Sequence, residues 1–346
     1  MKRTVILGHF AFGQDKSNGQ TIKTKIVANA LKQAIGSAEV DCEDTMGGWH
    51  FLLRLPFVCL RMLHSYRNII FLPAYKGVRV IVPLLVLMNI FYHRRLHYVV
   101  IGGWLPKYVR RYPLLRFMTK RIDHIYVETE YMKTSFDALG YNNVKVMANF
   151  KPLNIIHRHK LSSEINRPYR LCTFSRVMQE KGIEDAIAAT LETNQRLGAQ
   201  AFTLDIFGMI EPGREPWFEA LMHGQPKEIH YGGIIPFAQS TDVLCKYFSL
   251  LFPTRFKTEG FAGTLIDAMA AGLPVIASDC PSNKELIKNG ETGLLYEMNN
   301  VEALTDILID IASAPERMLQ MRPKCVEEAV RYRPENIIKI LTDELL

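Results

Sequence analysis

Four charged residues in the second half of the chain have the types and spacing to bind an anion flanked by hydroxyl groups. Arg176 and Lys181 stand five residues apart in Leu171–Asp185, LCTFSRVMQEKGIED. A guanidinium fork and a lysine point charge can share the oxygens of one pyrophosphate. Glu259 and Asp267 stand eight residues apart in Thr258–Asp279, TEGFAGTLIDAMAAGLPVIASD. A carboxylate only accepts hydrogen bonds, so it suits neighbouring sugar hydroxyls. Between the two acids lie Phe261, Ala262, Gly263 and Thr264. Small residues at a helix start leave backbone N–H groups open, and the helix dipole adds to their pull on an anion. Two cations and a helix start would hold a diphosphate, with a carboxylate for the sugar at each end.

These groups need a scaffold that delivers them to one place. Thr4–Leu7 reads as a strand. It runs into a loop from Gly8 to Gly19 and then a helical stretch, Thr21–Ile35, the opening of a doubly wound α/β unit. Further strand-like runs are Asn68–Leu72, His97–Ile101, His124–Val127 and Val144–Met147. The polar, basic stretch Asn149–Arg167 breaks the alternation. A second series follows, with strands at Tyr169–Phe174, Phe202–Phe207, Ile229–Tyr231, Leu250–Phe252 and Pro274–Ala277. Helices are expected at Gly182–Leu197, Thr241–Lys246, Thr264–Ala271 and Val301–Ala312, and the tail Pro334–Leu346 also reads as helical. Such alternation predicts two mostly parallel sheets. The expected domains are residues 1–155 and 156–331, with a C-terminal helix 332–346 returning to the first. Ligands of such sheets bind at the carboxyl ends of the strands, where Arg176 and Lys181 fall.

The second half resembles the donor-site signature of glycosyltransferase family 4, a retaining family of the GT-B fold. The blocks FSRVMQEKGIEDAI, DIFGMIEP, IHYGG, LLFPTRFKTEGFAGTLIDAMAAGLPVIASD and NGETGLLYE occur in family order. The resemblance implies two Rossmann-like domains facing a central cleft. It implies that Arg176 and Lys181 bind the donor diphosphate, Glu259 contacts the donor sugar, and Asp267 takes the place of the glutamate that holds ribose. It puts the backbone of Phe261–Thr264 over the phosphates, Met209 and Ile234 near the base, and Gly19 in a loop closing over the donor. Many members carry a first-domain histidine near the reacting sugar. Tyr98–Trp104, YVVIGGW, has none, and His97 is expected to precede the strand. The implied reaction is transfer of a hexose from a nucleoside-diphosphate sugar, UDP by preference, to a hydroxyl. There is no DxD metal motif, so no metal and no cofactor are expected. A non-catalytic nucleotide-sugar or glycan-binding subunit and a GT-B epimerase remain as alternatives.

Charge separates the two halves. Residues 1–150 hold 21 Lys+Arg against 9 Asp+Glu, a net of +12, and the remainder nets −5. Between Asp44 and Asp123 there is no acid and there are 13 basic residues. Phe51–Arg67 and Ile81–Tyr92 within that stretch are strongly apolar. The second runs only twelve residues, against about 20 for a membrane span. Apolar body and cationic rim suggest contact with an anionic membrane surface. Arg94, Arg95, Lys107, Arg110 and Arg111 are the candidates for the membrane and acceptor side. The expected acceptor is a glycan or lipid-linked glycan of surface polysaccharide synthesis, and the expected place is the inner face of the cell membrane. The pI of 9.0 alone does not point to nucleic acid, because no recognition motif accompanies it. Six scattered cysteines without CxxC spacing read as reduced thiols in the cytoplasm.

Overall fold

The computed structural model describes residues 2–13, 19–161 and 166–345. The chain forms two compact units. Met1–Pro152 with Arg333–Leu346 makes the first, and Leu153–Tyr332 makes the second.

The first unit holds β1 (Lys2–Gly8), β2 (Val40–Asp44), β3 (Tyr66–Leu72), β4 (Arg95–Val99), β5 (His124–Val127) and β6 (Val144–Val146). They form one parallel sheet in the order β2-β1-β3-β4-β5-β6. Successive side chains point to opposite faces of a strand, so both faces must be apolar. Val5, Leu7, Ile69 and Phe71 pack under helices Trp49–Ser65, Val78–Tyr92 and Pro113–Thr119. Ile6, Ile70 and Leu72 pack on the other face with Val27 and Leu31 of helix Gly19–Ile35 and with Ile338 and Leu341.

The second unit holds β7 (Tyr169–Phe174), β8 (Phe202–Phe207), β9 (Ile229–Gly233), β10 (Ser249–Phe252), β11 (Val275–Ser278) and β12 (Gly293–Tyr296). This sheet is also parallel, in the order β12-β11-β10-β7-β8-β9. The chain moves outward from β7 to β9, then crosses back to β10 on the other side of β7. The order therefore reverses between β7 and β10, and the crevice outside their carboxyl ends is where such sheets bind ligands.

Several local expectations need correction. His97 does not precede its strand. It is the central residue of β4 and fully buried, with Nδ1 3.1 Å from the Tyr126 hydroxyl. The strand begins earlier because Arg95 pairs with Asn68 and the Asp123 carboxylate accepts the Leu96 amide at 2.9 Å. The tail is two short helices, Pro334–Ile337 and Lys339–Thr342, rather than one. The ladder tightens at buried Ile338 and Leu341, where the Leu341 amide donates three residues back to the Ile338 carbonyl. The strands β2 and β12 are absent from the sequence reading. Phe51–Arg67 lies mostly in helix Trp49–Ser65, and Ile81–Tyr92 ends helix Val78–Tyr92. Among the described residues, no helix is long and apolar enough to cross a membrane.

Candidate functional site

A cavity of about 410 Å³ opens in the second unit at the β7/β10 crevice. Its lining comes from the segment after β7 (Ser175, Arg176, Met178, Lys181), the end of β10 and its loop (Phe252, Phe256, Glu259), and the helix start Ala262–Thr264. The sequence places its charged groups here by simple means. The apolar strands end at Phe174 and Phe252, and polar loops follow.

Lys181 closes a short 3₁₀ turn, Gln179–Lys181, before helix Ile183–Arg196. Its Nζ lies 2.6 Å from Glu259 Oε2, and both side chains are only 14% exposed. The ammonium also sits 5.3 Å and 5.4 Å from the ring centroids of Phe252 and Phe256, within cation–π range. Glu259 Oε2 accepts a second hydrogen bond from Thr254 Oγ1 at 2.8 Å. Arg176 is more open, and its Nη1 stands 2.8 Å from Glu211 Oε2. Both candidate diphosphate cations thus face protein carboxylates.

Two devices hold the loops in register. Gly182 has φ +69°, and a Cβ there would lie 2.0 Å from the Pro253 carbonyl oxygen. Only glycine lets the Lys181 turn approach the end of β10 this closely. Arg255, beyond Pro253, reaches back to Asp185 at 2.5 and 3.0 Å and to Glu184 at 3.1 Å. Its backbone N–H donates to the Glu180 carbonyl at 2.8 Å. The bonds to Asp185, with the neighbouring charges, hold the guanidinium still more firmly protonated than usual.

Helix Gly263–Ala270 begins with no acid in its first turn and no side-chain cap. Thr264 does not cap it, because its hydroxyl donates to the Phe174 carbonyl at the end of β7. The helix start therefore presents backbone N–H groups toward the cavity that holds Arg176 and Lys181.

The other expected residues divide. Ile234 is exposed and lines an adjoining cavity of about 140 Å³ with Phe207 and Gly208; Ser175 and Thr264 belong to both cavities. Met209 follows β8 with an exposed side chain and is outside both linings. Phe261 is buried, its ring 5.1 Å from that of Tyr332, so only its backbone can serve a phosphate. Asp267 is also buried and does not line the cavity. Gly19 opens the first helix of the other unit, and Asn18 before it lies outside the described residues. Arg94 and Arg95 are half-buried rather than open to a partner. Arg94 Nε donates to the Leu63 carbonyl at 2.8 Å, so it caps a helix end. Lys107, Arg110 and Arg111 are exposed. Sequence reasoning missed Phe252, Phe256, Thr254, Glu211 and Arg255. Phe252 carried a signal, being the last residue of an expected strand; Arg255 carried none.

Two doubly wound parallel units of this kind define the GT-B class of fold. Residues 168–314, most of the second unit, match the family described as glycosyl transferases group 1. A Haemophilus influenzae protein named only as an uncharacterized glycosyltransferase is 39% identical over 84 residues, 24% of each chain. A Streptococcus pneumoniae UDP-N-acetylglucosamine–peptide N-acetylglucosaminyltransferase GtfA subunit is 30% identical over 195 residues, covering 49% of this chain and 37% of that protein. The chain thus spans well under half the length of these curated relatives. Over whole chains, the fold is similar to Anabaena HepE in complex with UDP (TM-score 0.77, 15% identity, 99% of both chains). It is also similar to Thermosynechococcus elongatus sucrose-phosphate synthase (TM-score 0.76, 15% identity, 99% of this chain and 98% of that one).

Proposed function

We propose that the chain is a retaining glycosyltransferase of family 4 that moves a hexose from a UDP-sugar to a hydroxyl acceptor. The observation that carries this reading is the convergence of Arg176, Lys181, Glu259 and an uncapped helix start on one cavity at the β7/β10 crevice. The group 1 match and the UDP complexes of fold relatives support it.

Breaking the bond from sugar to diphosphate builds negative charge on the leaving group. Arg176, Lys181 and the Gly263–Thr264 amides stand where that charge would grow, and donors set in advance stabilise it most in the transition state. Glu259 holds a hydroxyl of the transferred hexose. A donor phosphate would take over Lys181 from Glu259 and Arg176 from Glu211. A phosphate oxygen of the leaving group serves as the base that activates the acceptor, in keeping with retention of configuration. The cations supply the charge, so the reaction needs no metal and no cofactor. The acceptor is a lipid-linked glycan of surface polysaccharide synthesis, met at the inner face of the cell membrane.

A thermal-shift screen of nucleoside diphosphates and their sugars tests the donor site. UDP and one or more UDP-sugars should raise the melting temperature, since a ligand that binds only the folded state stabilises it. No shift with any of them would overturn the reading.

A further inference from the structure

The first unit carries large apolar side chains on the outside of its helices. Helix Trp49–Ser65 buries Leu55, Cys59 and Met62 against the sheet. It also shows Trp49 (71% exposed), Leu53 (62%), Phe57 (75%) and Leu60 to the outside. The spacing from 49 to 53, 57 and 60 is one continuous stripe of an α-helix. Helix Val78–Tyr92 repeats the pattern. Val82 and Leu85 are buried, while Val80, Leu87 and Phe91 (83% exposed) form an outer stripe. Helix Pro113–Thr119 adds Leu114 and Phe117. These helices pack side by side on the same sheet face, the second touching both others. Their outer stripes therefore belong to one surface, larger in apolar content than single scattered residues explain.

The charged side chains carried by these three helices are all basic. Arg54 is exposed on the first helix and Arg79 on the second, and Arg67 is exposed just past the end of the first. Arg121 stacks on the Phe117 ring, with Cζ 3.4 Å from the centroid. All three helices lie in the acid-free stretch between Asp44 and Asp123. Arg61 meets the carboxylate of Glu43, just before the stretch.

We infer that the outer face of helices Trp49–Ser65, Val78–Tyr92 and Pro113–Thr119 is a monotopic docking surface for an anionic lipid bilayer. Trp49, Phe57, Phe91 and Phe117 enter the boundary between headgroups and acyl chains, roughly 5–10 Å deep in the usual case, and the arginines meet lipid phosphates. A helix with two apolar faces has an occupant for each. Here the sheet takes one and the bilayer the other. The cationic rim favours this over an apolar protein partner, because phosphate headgroups supply the missing negative charge. The inference deepens the membrane side of the function proposed above, and its test does not depend on the donor site.

Co-sedimentation with vesicles of phosphatidylcholine alone, and with added phosphatidylglycerol, tests it. The wild-type chain should sediment with phosphatidylglycerol vesicles at low salt. Phe57→Ser combined with Phe91→Ser should weaken partitioning at least tenfold at every salt concentration, as expected for two phenyl groups left in water. Arg54→Glu combined with Arg121→Glu should weaken it mainly at low salt. All four side chains are exposed, so each variant should melt as the wild type does. Wild-type protein that stays in the supernatant at low salt would overturn the inference. So would full binding by the Phe57/Phe91 variant, or a wild-type dimer that this variant dissolves while vesicles bind neither. UDP binding measured on the same samples keeps the two readings apart: vesicle binding without UDP binding would sink the donor site alone.

Discussion

Lys181 Nζ lies 2.6 Å from Glu259 Oε2, so the residue matched to the diphosphate and the residue matched to the donor sugar hold each other. They come from segments 78 positions apart in sequence, following β7 and β10. At 14% exposure each, removing one leaves a partly desolvated charge, a situation dearer than a surface pair. The pair ties the Lys181 turn after β7 to the loop after β10.

Glu259→Gln separates holding from chemistry. The amide oxygen can still accept from Thr254, but Lys181 loses its counter-charge. UDP affinity, measured by titration calorimetry, should stay the same or tighten a few-fold. Sugar transfer should fall by about 10²-fold, the scale of losing one preorganised polar contact to the reacting group.

Arg255→Lys tests how the two loops are registered. Lysine cannot make the paired bonds to Asp185 while also reaching Glu184. Donor KM should rise about tenfold from misplacing Lys181, with a smaller change in kcat. Equal kinetics in variant and wild type would show that the backbone bond from Arg255 to Glu180 suffices.

Gly182→Ala should be severe. The new Cβ meets a backbone carbonyl that cannot swing away, and φ +69° is itself strained for alanine. Destabilisation of about 3 kcal/mol or more is expected from the two effects together. Chemical denaturation measures it directly.

The first unit should weaken in acid through His97. Burial, followed by the positive neighbours His124 and Arg95, pushes this imidazole down from 6.5 to about 3. Between those values an unfolded chain binds a proton that the folded chain does not. Stability from this residue is therefore complete above pH 6.5 and falls as pH drops toward 3, by about 1.4 kcal/mol per pH unit. His124, also pushed down by burial but facing Glu344, adds to the same trend. His97→Phe should flatten the slope of stability against pH by about one proton. An unchanged slope would contradict the buried, neutral assignment.

The sheets were legible because their strands are apolar runs punctuated by glycine and proline. Strands such as Phe202–Phe207 appear where the pattern puts them. β2 escaped because Val40–Asp44 is an edge strand carrying three acids, which breaks the apolar signal. The cavity's Arg176, Lys181 and Glu259 were legible from ordered motifs. Their partners were not. Glu211 and Arg255 act through tertiary approach, and no local period encodes which arginine spans two loops. The outer stripes of Trp49–Ser65 were visible as composition, but which apolar residues face outward became clear only with the helix packed.

The donor assignment stands or falls on turnover in Arg176→Ala and Lys181→Ala, each assayed for release of UDP from the UDP-sugar that the thermal-shift screen selects. Loss of charge stabilisation at the leaving diphosphate predicts a drop in kcat of about 10²-fold or more for each, with the fold intact by circular dichroism. Near-normal kcat in both variants would contradict the account.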